Sequence, residues 1–180
     1  SFGDQNDFNP FTINTDLANI ENVTLLGVGD GGEISGNAGN NILVGNAGNN
    51  SLFGDDGEDT LNGLAGNDLL IGGNGNDTLT GDGAVNTFTS GNGNDTLRLG
   101  GGGDHGYGGT GNDRMTGGLG NDIYVVDSTR DVTTEALSGG TDSVYASVGR
   151  TLGANLENLY LAGTAAINGT GNALNNRIAG

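Results

Sequence analysis

The chain has 180 residues, of which 33% are hydrophobic and 5% aromatic, too few for the packed core of an ordinary globular domain of that length. Its 17 Asp and 5 Glu stand against 5 Arg and no Lys, a formal charge of −17 that excludes nucleic acid and anionic membrane surfaces as partners and opposes compaction unless a cation is present. Gly accounts for 39 residues without a three-residue period, which excludes collagen; there is no Cys to form disulfides or thiolate metal sites, and no apolar run approaches the roughly 18 residues of a membrane span.

No signal peptide opens the chain, and Ser1 in place of Met is expected of an excised segment. Residues 1–26 read as a flank, or a junction with a preceding module. From Gly27 the chain falls into nines, and eleven units run without a gap to Val125. The clearest is Gly72-Gly73-Asn74-Gly75-Asn76-Asp77-Thr78-Leu79-Thr80. The sixth position reads Gly32, Asn41, Asn50, Asp59, Asp68, Asp77, Asn86, Asp95, Asp104, Asp113, Asp122. The eighth reads Ile34, Leu43, Leu52, Leu61, Leu70, Leu79, Phe88, Leu97, Gly106, Met115, Tyr124, apolar or aromatic in ten of eleven.

Each unit divides into a six-residue Gly-rich turn and a three-residue strand whose central side chain points to one face and its neighbours to the other. One unit buries almost nothing. Stacking two units per coil encloses the eighth-position side chains between two parallel sheets, and five and a half coils at roughly 4.8 Å each make a stack about 25 Å long.

Asp at the same place in successive turns stacks like charges in every coil, which Coulomb repulsion opposes unless a cation lies between them. A hard divalent ion such as Ca²⁺ takes six to eight oxygen ligands, and a Gly-Gly-x-Gly-x-Asp turn offers a carboxylate and bare carbonyls. The units resemble the nonapeptide repeats of the RTX, or haemolysin-type, calcium-binding proteins. The resemblance implies an all-β parallel β-roll, a two-sheet solenoid with 18 residues per coil, holding several Ca²⁺ ions between turns two units apart on one edge. The metal ligands it implies are Asp59, Asp68, Asp77, Asp95, Asp104, Asp113 and Asp122, with turn backbone at Gly54, Gly57, Gly72, Gly75, Gly93, Gly108, Gly111, Gly117 and Gly120.

Alternate units fall on opposite edges. One edge holds Asn41, Asp59, Asp77, Asp95 and Asp113; the other holds Gly32, Asn50, Asp68, Asn86, Asp104 and Asp122. Four clean pairs follow, 59 with 77, 77 with 95, 95 with 113, and 104 with 122, so Asp77 and Asp95 serve two pairs and Asp122 one. The turns of Asn41 and Asn50 are expected to lack calcium and to be bridged by amide hydrogen bonds, and Asn86, with Ala84 where a Gly belongs, interrupts the second edge. Asp55, Asp56 and Glu58 crowd the turn of Asp59 and read as solvated turn residues.

From Asp127 the period is lost, and β-branched runs at 124–126, 131–134, 143–148 and 156–161 predict short strands capping the roll. Residues 126–163 are thus expected to form a capping β segment and 164–180 to begin a further array. The outward positions of one sheet, Phe53, Leu69, Ile71, Tyr107, Ile123 and Val125, make an apolar stripe, and Val144, Tyr145, Val148, Leu156 and Leu159 are expected to cover it. The other sheet shows Thr60, Asn62, Thr78, Thr80, Thr96, Arg98, Arg114 and Thr116. The stretch from Gly153 to Leu161, followed by Gly169 to Asn176, resembles segments that follow RTX arrays in secreted proteases, lipases, alginate epimerases and large adhesins. It also echoes Asn19 to Leu25 and Gly36 to Asn41, roughly 135 residues earlier, as expected of one module in a tandem array.

The patterns at Gly27-x-Gly29-x-x-Gly32 and Gly101-x-Gly103-x-x-Gly106 match a dinucleotide fingerprint but lack a following helix, and the glycosylation-type triplets at Asn22 and Asn76 carry no weight. His105 is the only His; no acid, base and charge-stabilising group converge with it, so no catalytic residue is expected. The expected function is a secreted, calcium-binding module that folds outside the cell after type I secretion, as the resemblance implies. The alternative is a polysaccharide-binding module of an extracellular enzyme or adhesin. Neighbouring modules of the same chain are a further expected partner.

Overall fold

The computed structural model describes residues 11–14, 21–27, 31–163 and 166–180, and for 11–14 only the backbone. Ser1, Asn19, Ile20 and Gly29, named above, lie outside the described residues. Twenty short strands and no helix occur among the described residues, so none is long and apolar enough to cross a membrane. The strands form an eleven-stranded sheet, a seven-stranded sheet and a two-stranded sheet, with parallel pairing throughout.

Successive units alternate between the two large sheets. In one, Ile34, Leu52, Leu70, Phe88, Gly106 and Tyr124 stand in register. In the other, Val23, Leu43, Leu61, Leu79, Leu97 and Met115 do. This is the parallel β-roll that the nine-residue period predicts. Its strands bury the central residue alone, as in Thr60–Asn62 and Thr78–Thr80, and the two rows of apolar side chains meet as one core. Each fully buried Leu contributes roughly 1.5–3 kcal/mol, and one row without the other would stay wet. The flank joins the roll, for Phe11–Asn14 pairs with Gly32–Ser35 and Asn22–Thr24 with Ile42–Val44.

Two expectations need correction. The period extends one unit beyond Val125: Val132–Thr134 pairs with Arg114–Thr116 at the 18-residue offset, which makes Asp131 a sixth-position and Thr133 an eighth-position residue. That unit contains no Gly, which hid it. The strands beyond Val125 also continue the roll instead of lying over its outer face. Ile123–Val126, Ser143–Ala146, Asn158–Leu161 and Arg177–Ala179 extend the larger sheet in order. Val144, Leu156 and Leu159 are fully buried in the central core. Tyr145 points outward, stacks on Tyr160 with ring centroids 4.7 Å apart, and lengthens the stripe of Phe53, Ile71, Thr89, Tyr107 and Val125.

Candidate metal centres

The turns are of two kinds, set by their second and fourth residues. In the open kind both have positive φ: Asp55 and Gly57, Leu64 and Gly66, Gly73 and Gly75, Gly91 and Gly93, Gly100 and Gly102, Gly109 and Gly111, Gly118 and Gly120. Only Gly adopts this conformation freely. In the closed kind an Asn or Asp at the second position caps its own turn, its Oδ1 accepting the N–H of the fourth. The pairs are Asn37 with Gly39 at 2.8 Å, Asn46 with Gly48 at 2.8 Å, Asp82 with Ala84 at 2.9 Å and Asn172 with Leu174 at 2.8 Å. Closed turns carry Asn41, Asn50, Asn86 and Asn176 at the sixth position, and open turns carry Asp59, Asp68, Asp77, Asp95, Asp104, Asp113 and Asp122.

These seven Asp side chains point into the turns and are all buried. Their Oδ1 atoms form a ladder along each edge, accepting the sixth-position N–H one coil earlier: Asp59 to Asp77 at 2.8 Å, Asp77 to Asp95 at 2.7 Å, Asp95 to Asp113 at 2.9 Å and Asp104 to Asp122 at 2.8 Å. The Oδ2 atom of each of the seven is buried without a partner. In the five of these turns that begin with Gly, Oδ2 lies over that first residue, and a Cβ on Gly54 would collide with both Asp59 Oδ2 and the carbonyl oxygen of Gly72. A carboxylate oxygen and a carbonyl oxygen from the next coil thus share one small space.

An unpartnered buried carboxylate is costly, and the electrostatics register it. Burial pushes Asp59, Asp68 and Asp122 up to about 6 and Asp77, Asp104 and Asp113 up to about 7. Asp95 rises for the same reason. The ladder N–H bonds oppose these shifts, and carboxylates in adjacent coils add to several, as Asp59 and Asp95 do at Asp77. What satisfies such an oxygen is a hard cation that accepts carbonyls as well.

Residues 35–70, 63–97 and 98–132 match the RTX calcium-binding nonapeptide repeat. The chain belongs to that family. Together the matches run from 35 to 132, more than half of the 180 residues. No curated protein shows a significant match. The RTX repeats fit calcium on this structure's own terms, because each of the seven open turns supplies an orphaned carboxylate oxygen, which at Gly54 and Gly72 shares its space with a carbonyl of the next coil, whereas the closed turns carry the neutral amide of Asn at the sixth position. When bound, the ion adds positive charge between stacked carboxylates.

Other residues singled out by sequence take different places. Amide bonds at Asn41 and Asn50 also run within their own turns, as Asn50 Nδ2 donates to Asn46 Oδ1 at 3.1 Å. Coil-to-coil amide ladders run outside, at the third position through Asp56, Asn74 and Asn92 at 2.6 Å per step. A second ladder runs at the fifth position through Asn76, Asn94 and Asn112. Asp55, Asp56 and Glu58 are exposed. Sequence reading missed Asp131 and Asp142, which continue the two Oδ1 ladders from Asp113 at 3.0 Å and Asp122 at 2.8 Å. Asp131 Oδ2 accepts the N–H groups of Asp127 and Ser128, closing its turn, whereas Asp142 Oδ2 is orphaned like the seven. Asp122 therefore has two Asp neighbours on its edge, Asp104 and Asp142, where the nine-residue period alone provides one.

Proposed function

We propose that this chain is a calcium-dependent structural module of an exported protein, unfolded at cytosolic calcium and folded outside the cell. The carrying observation is the set of eight buried Asp Oδ2 atoms without a partner, in a chain with no Lys. Without a cation these carboxylates oppose the fold; with one between successive open turns they hold it. Extracellular modules bind calcium at about 10⁻⁴ to 10⁻³ M, so a calcium-poor cytosol leaves the chain unfolded and fit for a narrow export channel of the type I kind. Any catalytic activity of the parent protein is assigned outside this chain. His105 and Tyr107 lie on the larger sheet and Arg98 and Arg114 on the smaller one, and Asp104 is buried in its turn. Far-ultraviolet circular dichroism in chelator and then in millimolar calcium tests the proposal. A coil spectrum that converts to β supports it, and a β spectrum unchanged by chelator sinks it.

A second reading is a surface that holds polysaccharide, and one observation favours it. Tyr107, Tyr145 and Tyr160 line one outward column, with Arg177 5.4 Å from the Tyr160 ring centre, and aromatic faces pack well on sugar rings. Pull-down on insoluble polysaccharides, with Tyr145→Ala as the control, separates this reading from a purely structural one.

A further inference from the structure

Glu135 follows Thr134 at the first place of what would be the next nonapeptide, the place from which Leu99 and Val126 also turn inward and are buried. Its carboxylate reaches the end of the second turn edge. Oxygen atoms of Asp122, Glu135 and Asp142 all lie within 4.8 Å of one another, and the three residues are 1%, 7% and 0% exposed. We infer that these three carboxylates form a calcium site at the C-terminal end of that edge, joined to the last repeat turn through Asp122 and completed by Glu135 and Asp142 from outside the nonapeptide repeats. The inference rests on the calcium reading of the repeats.

Three observations carry it. First, Asp122 Oδ2 and Asp142 Oδ2 are both buried and unpartnered, because their Oδ1 atoms are already committed to the N–H groups of Asp104 and Asp122. Second, the oxygens converge: a Cβ on Gly117 would collide at once with Asp122 Oδ2, Glu135 Oε1 and the Tyr124 hydroxyl. Third, no cationic group among the described residues bonds these carboxylates. Glu135 accepts the Tyr124 hydroxyl and the N–H groups of Gly118 at 3.3 Å and Ala136 at 3.0 Å, all neutral donors.

Three carboxylates whose oxygens lie within 4.8 Å of one another suit the hard, all-oxygen and geometrically tolerant coordination of Ca²⁺. A pair of repeat turns supplies two carboxylates, and this site supplies three. Affinity rises with ligand charge, so this site fills before those of the array.

Calcium and terbium titrations of the whole chain test it, since Tb³⁺ takes the same oxygen ligands and emits when a nearby tyrosine is excited. The expected result is one tightest ion per chain, weakened about tenfold or more by Glu135→Gln, with the remaining ions retained. An unchanged tight ion in that variant overturns the site. The second arm does not need Glu135→Gln to fold. Tyr124→Phe is accommodated at an eighth position, as Phe88 is, and is expected to abolish most tyrosine-excited emission of the first terbium equivalent. Full emission in Tyr124→Phe overturns the site while leaving the repeat reading intact. A wild-type chain that binds no calcium overturns both.

Discussion

Leu99 occupies the volume that Gly106 leaves empty: a Cβ on Gly106 would lie 3.4 Å from each of the two δ-carbons of Leu99 and 3.6 Å from the sulfur of Met115. Leu99 stands where most turns have Gly, and Gly106 stands where ten other units have an apolar side chain. The two departures from the repeat cancel. Leu99→Ala is expected to cost about 2–5 kcal/mol by opening a cavity, and Gly106→Leu about 1–3 kcal/mol by overpacking. Leu99→Gly combined with Gly106→Leu restores the repeat plan and should cost much less than the sum. Urea unfolding in saturating calcium measures all three, and additive losses would show that the two positions do not share space.

Asp95 lies between two open turns, bonded to Asp77 and to Asp113, whereas Asp59 lies between an open turn and the closed turn of Asn41. Asp95→Ala should weaken two ions and Asp59→Ala one. Isothermal calorimetry counts them, and equal losses would contradict the edge assignment.

The closed turn at 81–86 carries the Oδ1 ladder between Asp68 and Asp104 on an amide, Asn86, in place of a carboxylate. Asp68 N–H donates to Asn86 Oδ1 at 2.9 Å and Asn86 N–H to Asp104 Oδ1 at 2.6 Å. Asp82 and Asn86 pair with polar groups of their own turn, so Asn86 presents no orphaned carboxylate oxygen to an ion. Replacing Asp82 and Ala84 by Gly and Asn86 by Asp should open the turn and raise the calcium stoichiometry by two, read by native mass spectrometry. An unchanged stoichiometry would mean that turn conformation does not control binding.

The apo fold should respond to pH with a definite sign. Burial raises Asp77, Asp104, Asp113 and Asp142 from 3.8 to about 7, so the folded chain holds protons that the unfolded chain releases. The stabilisation is fully present below pH 3.8 and is lost as pH rises through about 7. In chelator, β structure should therefore grow on lowering the pH from 8 to 5, and the calcium concentration needed for folding should rise as protons compete for the same oxygens. A calcium midpoint independent of pH would contradict this.

The core and the seven open-turn Asp residues were legible in the sequence because a period of nine fixes both sheet face and edge once the roll is recognised. Asp142 and Glu135 were not. Asp142 lies 20 residues after Asp122, off the period, although the backbone brings it to the next rung. Glu135 has no repeat counterpart and is carried inward by its first-place position. Asp131 was hidden by a turn without Gly, and Val144, Leu156 and Leu159 were expected to cover the outer stripe because the roll was expected to stop at Val125. Nothing local distinguishes a strand that extends a solenoid from one that covers it; the pairing partner decides.

The central claim is that two successive open turns on one edge hold calcium between them and that a closed turn does not. Anomalous diffraction from crystals grown in millimolar calcium tests it most directly. Anomalous peaks are expected beside Asp77, Asp95, Asp113, Asp104 and Asp122, and none at the turns of Asn41, Asn50, Asn86 and Asn176. Peaks at the Asn turns, or an ordered roll without peaks at the Asp turns, would contradict the account.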